Sequence, residues 1–386
     1  MVKKNNIVSD YIECYNKYKK LFGNKTVVLM QVGSFHEAYC TNDKGPNLQI
    51  IGEEIDCFVT RKNKKSIESA NISNPFMMGV PSNSLEKYLN RLIDKNYTII
   101  VIDQVTPPPK PKRKVTGIYS QGTNLNNNSQ ESNNILSIYL EESKDYKTKQ
   151  LLLSIGFTIL DLTTGKILIH NIESSSSDKN LALDELCKIL SFFNPKEIII
   201  NTSLKNIKYD FINNYCELNK FNIIKDTYFK KEFSRINYQN ELIERIWKVE
   251  SQLSGIEYFH LENVEAVRIS LIVAMSFSEE HNSSIINNLD VPKFYGKQQY
   301  LKLGNNAITQ LDLIKNKTEF FYSEDKKIYR SLFDIINNTQ TGMGKRFLYY
   351  QMLHPLIDSI KLQNRYEIIH NLLKDKQNFA ETLKEI

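Results

Sequence analysis

Between positions 124 and 134 the chain reads NLNNNSQESNN, a run whose only apolar side chain is Leu125. So polar a run is not expected to bury surface, and it cannot offset the conformational entropy of being ordered inside a core. Just upstream, Thr106-Pro-Pro-Pro-Lys-Pro-Lys-Arg-Lys114 contains four prolines, which lack the backbone N–H that a central strand or a helix interior requires. The chain is therefore expected to fold as separate bodies with a boundary near 125–134. Its 386 residues agree with this, because single cores stop growing near ~250–300 residues.

Upstream of the boundary, Ile7, Tyr11, Tyr15, Tyr18 and Phe22 recur at helical spacing, with Gly23 at the C-terminal stop. The tyrosines read as core. Thr26-Val-Val-Leu-Met-Gln-Val32 is a β-branched apolar run ending at Gly33, the signature of a buried strand. Ser84 can cap a helix that turns Leu85, Tyr88, Leu89, Leu92 and Ile93 inward, and Thr98–Ile102 is a further strand. Residues 1–125 thus read as a small α/β domain. In 126–254, Leu151–Leu160 and Lys166–His170 flank a Thr163-Thr-Gly165 turn as a hairpin, followed by a helix over 181–193 and a strand over 197–200. This is a second α/β domain. Residues 255–386 form an all-α region, interrupted near Gln299–Leu303. There Ile360, Tyr366, Ile369, Leu372, Phe379 and Leu383 hold roughly helical spacing, and the chain is expected to end inside a helix.

The formal net charge of +6 permits a polyanionic partner without requiring one. Five cysteines (Cys14, Cys40, Cys57, Cys187, Cys216) without a Cys-x-x-Cys pair imply a reducing setting and no zinc site. The six histidines show no ligand spacing, so no metal is expected. No stretch approaches the ~18 uncharged apolar residues of a membrane span, so a soluble protein is expected. Gly165-Lys166, Gly296-Lys297 and Gly344-Lys345 each lack the glycine five residues earlier that a phosphate-cradling loop needs. ATP hydrolysis is not expected.

Gln31-Val-Gly-Ser-Phe-His-Glu-Ala-Tyr39 resembles the mismatch-reading motif Gly-x-Phe-Tyr-Glu of the MutS family, with Gly33, Phe35 and Glu37 matching. Further matches follow in the family's order: Thr60-Arg61, Asn74-Pro-Phe-Met-Met-Gly-Val-Pro81, the helix Leu85–Leu92, Ile102-Asp-Gln104, Arg113-Lys-Val115 and Gln121-Gly-Thr123. Asp161-Leu-Thr-Thr-Gly165 is similar to a turn of the family's connector domain. Gln310-Leu-Asp-Leu313, Ser331-Leu-Phe-Asp334, Asn338–Arg346 and His354-Pro-Leu-Ile-Asp358 resemble the start of its helical core. The resemblance implies α/β plus all-α: a mismatch-binding domain, a connector with a ribonuclease-H-like sheet, and part of a helical lever domain. It also implies that the family's ATPase, with its ATP and magnesium, is absent from this chain. Three features depart from the pattern. His36 stands for the usual aromatic, Ser82-Asn83 for the usual Tyr-His, and the chain stops before the clamp and nucleotide-binding domains.

The implied chemistry is coherent. A detector that accepts many mispairs reads deformability, and an aromatic ring entering the minor groove can stack on a loosened base whatever its identity. Phe35 is the expected wedge and Glu37 the expected base-edge hydrogen-bonding group, its protonation state unassigned. Gly33 and His36 complete the expected mismatch-binding set, His36 as a pH-sensitive donor or simply packed beside the strand. Arg61, Lys62, Lys64, Lys65, Lys110, Lys112, Arg113 and Lys114 are candidates for phosphate contacts, which give register and affinity without selectivity. Residues 110–114 equally fit a solvated linker. The expected partner is double-stranded DNA carrying mispairs or small loops, with a MutS-type subunit or a separately encoded ATPase half as a further candidate. Two alternatives stay open: a metal-dependent nuclease on the second domain, using Asp161, Glu173 and Asp184, and an interaction remnant that contributes only a surface.

Overall fold

The computed structural model describes residues 7–61, 63, 69–107, 111–124, 133–281, 285–296, 300–301, 303, 307–314 and 331–374. They fall into two compact units. The first runs to Phe294 and the second begins at Tyr295, apart from residues 187–192, which group with the second.

The first unit contains two six-stranded sheets. Helix α1 (Ile7–Phe22) buries Val8, Tyr11, Ile12, Tyr15 and Phe22. Tyr11 is fully buried and donates its hydroxyl to the Val28 carbonyl at 3.1 Å, so the polar tip is satisfied as core placement requires. Gly23 at φ +85° ends the helix, its N–H returning to the Lys19 carbonyl. Next come β1 (Thr26–Val32), β2 (Phe35–Cys40), α2 (Leu48–Ile55), β3 (Val59–Arg61), β4 (Phe76–Pro81), α3 (Leu85–Asp94), β5 (Thr98–Gln104) and β6 (Arg113–Tyr119). The sheet order is β3-β4-β2-β1-β5-β6, with β1 and β5 parallel at the centre and the proline-preceded β6 on an edge. That edge is where a segment following prolines can sit.

Of the polar run at 124–134, the described residues are Asn124, Asn133 and Asn134. Asn124, Asn133 and Asn134 are buried, contrary to the expectation that 124–134 could bury nothing. Their amides are partnered: Asn124 Nδ2 donates to Asn90 Oδ1 (3.1 Å), Asn133 Nδ2 to the Asn124 carbonyl (3.3 Å) and Asn134 Nδ2 to the Phe193 carbonyl (2.7 Å). Burial costs little when each polar group keeps a partner.

The second sheet has the order β11-β10-β7-β8-β9-β12. β7 (Asn134–Lys144), β8 (Leu151–Asp161) and β9 (Lys166–Glu173) form an antiparallel meander, with Gly165 at φ +76° in the β8–β9 turn. After α4 (Leu181–Phe193), β10 (Glu197–Thr202) adds parallel to β7; α5 (Tyr209–Tyr215), β11 (Ile223–Lys225), α6 (Ile236–Trp247) and α7 (Gly255–Tyr258) follow. Helix α8 (Glu265–His281) is buried without a break from Ala266 to Ser278. It crosses β8 so closely that a Cβ on Gly156 would lie 2.1 Å from the Ala266 carbonyl carbon. β12 (Lys293–Phe294) then pairs with β9.

The helical region is expected to start at 255, in the stretch that holds α7 and α8. Helix α8 and β12 pack with the second sheet, because a helix buried all round belongs inside a core, and local periodicity does not say which one. The second unit holds α9 (Ala307–Gln310), α10 (Leu332–Ile336), α11 (Gly342–Leu353) and α12 (Ser359–Lys374). Thr341 caps α11 by accepting the Gly344 N–H at 3.0 Å. The expected extended piece near 299–303 is represented by an antiparallel bridge between Tyr300 and Leu356. No helix among the described residues is long and apolar enough to cross a membrane.

Candidate nucleic-acid interface

The β1–β2 hairpin turns at Gly33, whose φ of +63° lies in the left-handed region that favours glycine. The tip is held from both sides, since the Ser82 N–H donates to the Ser34 carbonyl (2.9 Å) and Gln31 Nε2 to the Gly33 carbonyl (3.2 Å). Strand alternation then decides what each following residue faces. Phe35, Glu37 and Tyr39 share one face; His36, Ala38 and Cys40 share the other. Phe35 is 44% exposed, whereas a core phenylalanine would be buried. A Cβ on Gly79 of β4 would lie 3.5 Å from Glu37 Cγ and 3.8 Å from Phe35 Cδ1, so the two side chains stand together beside this glycine.

Glu37 is half-buried and accepts a hydrogen bond on Oε2 from the Tyr39 hydroxyl. Burial, and then the adjoining carboxylate, raise the Tyr39 hydroxyl pKa and keep it a donor. Tyr39 is itself wedged edge-on against Tyr11 of α1, ring centroids 5.4 Å apart. The carboxylate is thus held by a side chain that α1 holds in turn.

His36 lies on the opposite face and is only 3% exposed, so it does not join the surface formed by Phe35 and Glu37. Of the two readings the sequence left open for His36, this is packing beside the strand. Its Nε2 lies 2.7 Å from Asp103 Oδ1 and its Nδ1 3.0 Å from Ser82 Oγ, while Thr116 Oγ1 donates to Asp103 Oδ2 at 2.5 Å. Two departures from the family pattern, His36 and Ser82, therefore touch each other. A histidine in place of an aromatic puts two polar ring atoms in a buried position, and Ser82 with Asp103 satisfies both.

The basic residues divide. Arg113 is half-buried in β6 and donates from Nε to the Gln31 carbonyl at 3.0 Å, which also receives Gln104 Nε2 at 3.1 Å. Register places Arg113 opposite Gln104, on the Glu37 face, and its positive charge acts on Tyr39. Lys114 pairs with Asp103 on the other face and is exposed, as is Lys112, whose N–H donates to Thr106 Oγ1 at 2.7 Å. Arg61 sits across Phe76 from Cys40, with its guanidinium 5.5 Å from the Phe76 ring centroid. That is the other end of β2, about 17 Å from Phe35 along the strand. Lys62, Lys64, Lys65 and Lys110 lie outside the described residues.

The carboxylates suggested for a nuclease are held apart. Asp161 pairs with Lys166 and Glu173 with Ser154, seven residues away along β8 or roughly 23 Å. Asp161 accepts the Thr163 N–H and Thr164 hydroxyl inside the hairpin turn, and Asp184 accepts the Tyr215 hydroxyl. Among the described residues no group of three His, Cys, Asp or Glu could hold a metal ion.

Sequence reasoning passed over Gln31, Tyr39, Gly79, Ser82, Asp103 and Gln104 as site-forming residues. A signal existed for two of them: the apolar runs Thr26–Val32 and Thr98–Gln104 each carry a glutamine near the end, and these strands lie side by side. Polar residues closing adjacent buried strands mark the end of the sheet at which a ligand can be met.

Residues 9–128 match the family profile of MutS domain I, and residues 306–386 that of MutS domain III. A mutS homolog of Acanthamoeba polyphaga mimivirus, described as a DNA mismatch repair protein, is 33% identical over 403 aligned positions, covering 96% of this chain and 35% of that protein. The DNA mismatch repair protein MutS of Caldanaerobacter subterraneus subsp. tengcongensis is 26% identical, covering 98% of this chain and 39% of its own length. That of Thermotoga petrophila is 26% identical with 97% and 40% covered. The chain spans roughly a third to two fifths of these relatives. Among solved structures, a family B DNA polymerase from Pyrobaculum calidifontis is similar at a TM-score of 0.24 and 9% identity, covering 62% of this chain and 40% of that chain, too slight a likeness to argue from.

Proposed function

The chain belongs to the MutS family, and from that premise we propose that its first sheet binds duplex DNA at mispairs or small unpaired loops. Phe35 enters as the wedge, and Glu37 meets the edge of the loosened base. The observation that carries this reading is the pairing of a 44% exposed phenylalanine with a half-buried carboxylate on one face of a fixed hairpin tip. A ring so held can stack on any unpaired base, worth about 1–3 kcal/mol, but it gains this only where the duplex opens cheaply. Glu37, oriented by Tyr39, offers an acceptor to whichever base N–H the distortion turns toward it. Arg113 and the exposed Lys112 and Lys114 add phosphate contacts around the tip. The binding step proposed here needs no nucleotide or metal.

The test is titration of the purified chain, wild type and Phe35→Ala, against matched and mispaired duplexes. Loss confined to the mispaired duplex supports the wedge, and equal loss on both removes it. The same titration with ATP and magnesium examines the expectation that no nucleotide site lies in this chain, for which unchanged binding is the expected result.

A further inference from the structure

Phe58 is 91% exposed at the edge of the first sheet. It immediately precedes β3, where Val59 pairs with Met78, so Phe58 continues the row that passes through Gly79 and Glu37. Cys57 Sγ, 3.7 Å from the Gly79 carbonyl, confirms that the chain runs beside Gly79 here. Val59 packs toward α2, its Cγ2 lying 2.9 Å from where a Cβ on Gly52 would be. Alternation carried one residue back from β3 assigns Phe58 to the opposite face, the one bearing Phe35 and Glu37. Between them stands Gly79; among the described residues only Glu37 and Phe35 come within 4 Å of a Cβ placed there. The row is thus a shallow trough floored by a glycine, with Glu37 on its inner side and Phe58 on its outer, about 10 Å across from two strand spacings.

We infer that this trough seats one strand of the duplex beside the opened base pair, with Phe58 against the apolar faces of its deoxyriboses. The inference rests on the reading of Phe35 as the wedge. Phe58 is offset from Phe35 by two strands and two residues, about 12 Å. At ~3.4 Å of rise per nucleotide this corresponds to contact three to four nucleotides from the mispair, on one side only. A glycine floor suits that role, because the backbone of a DNA strand can lie against β4 only where no side chain intervenes. A carboxylate on the inner wall favours sugars over phosphates at the same place, since phosphates would be repelled. An aromatic on the outer wall completes an apolar fit.

Binding of the full chain to mispaired and matched duplexes would be compared for wild type, Phe58→Ala, Phe58→Trp, Gly79→Ala and Phe35→Ala, with thermal unfolding measured for each. Phe58→Ala and Gly79→Ala are expected to weaken mispair binding roughly tenfold without lowering the unfolding temperature, since Phe58 is exposed and a Cβ at Gly79 meets only ordinary contacts. Phe58→Trp should retain binding. Shortening one flank of the mispaired duplex to two base pairs should erase the difference between wild type and Phe58→Ala, whereas shortening the other flank should not. If Phe58→Ala and Gly79→Ala bind like wild type while Phe35→Ala loses mispair preference, the trough is overturned and the wedge stands. A Phe58→Ala loss that persists with either flank shortened also overturns it. If Phe35→Ala keeps full preference, the wedge reading fails instead, and absence of binding by the wild-type chain overturns both.

Discussion

His36 Nε2 and Asp103 Oδ1 lie 2.7 Å apart, joining the strand that carries Phe35 to β5 on the face away from the exposed ring. The His36 side chain is 4% exposed and that of Asp103 35%, so the pair is sheltered on one side only. Replacing Asp103 by Ala leaves a buried imidazole nitrogen without its partner and leaves the Thr116 hydroxyl only the Val101 carbonyl, at 3.4 Å. The expected cost is about 1–3 kcal/mol of stability, measured by urea unfolding. Asp103→Asn, which keeps an acceptor oxygen, should recover much of it. If Asp103→Ala is as stable as wild type, the pair contributes nothing to the hairpin.

The basic residues at this end of the sheet should separate by function. Lys112 and Lys114 are exposed, and their joint replacement by Ala should weaken matched and mispaired binding alike. If both contact phosphates, the slope of log K against log salt should flatten by about two. Arg113→Ala is expected to do more, because it also removes the donor to the Gln31 carbonyl that ties β6 to β1. An unchanged salt slope in the double variant would make the lysines solvated surface only.

Much of this arrangement was legible in the sequence, and the rest was not for identifiable reasons. The strands Thr26–Val32 and Thr98–Gln104, the β8–β9 hairpin and helix α4 announce themselves through apolar runs, turn chemistry or helical spacing. β2 does not, because Phe35-His-Glu-Ala-Tyr-Cys40 mixes an exposed aromatic, a buried histidine and a half-buried carboxylate. Its alternation is set by what lies on each face, and polarity does not mirror it. His36 could be understood only once Ser82 and Asp103, 46 and 67 residues away, were seen to meet it. Likewise the spacing in α8 gives a helix but cannot say that Gly156, far earlier in the chain, leaves room for it.

That crossing yields a stability test. Gly156→Ala would place a Cβ 2.1 Å from the Ala266 carbonyl carbon, and both contacting groups are backbone within packed elements. Neither a rotamer change nor a small shift relieves it, so α8 must move off the sheet. Overpacking of this kind typically costs 1–3 kcal/mol, and about 3 kcal/mol or more is expected here. It should be read in the midpoint of urea unfolding. A neutral result would mean that α8 is not held against β8 as described.

Two fully buried titrating groups should give the chain opposing pH responses. Glu197 begins β10 and accepts from Ser120 Oγ at 2.6 Å, and its Oε1 has no hydrogen-bond partner among the described residues. Burial pushes its carboxyl from 4.5 up to about 7, against the Ser120 and Gly122 hydrogen bonds. His281 ends α8 with Nδ1 on the Phe277 carbonyl at 2.8 Å, and burial lowers its imidazole from 6.5 to about 4. Between pH 4.5 and 7 the folded chain holds a proton on Glu197 that the unfolded chain has released, so stability falls as pH rises through that window. Between 6.5 and 4 the unfolded chain protonates His281 while the folded chain does not, so stability falls as pH drops. Each displacement corresponds to about 3 kcal/mol, and over 4.5–6.5 the two slopes oppose each other. Glu197→Gln should therefore gain stability relative to wild type as pH rises from 4.5 to 7 and hold that gain at pH 8. His281→Leu should instead improve relative to wild type as pH falls from 6.5 to 4. Urea unfolding at intervals from pH 4 to 8 gives both difference curves. Curves parallel to wild type would mean that these groups titrate alike in the folded and unfolded chain, and would overturn both assignments.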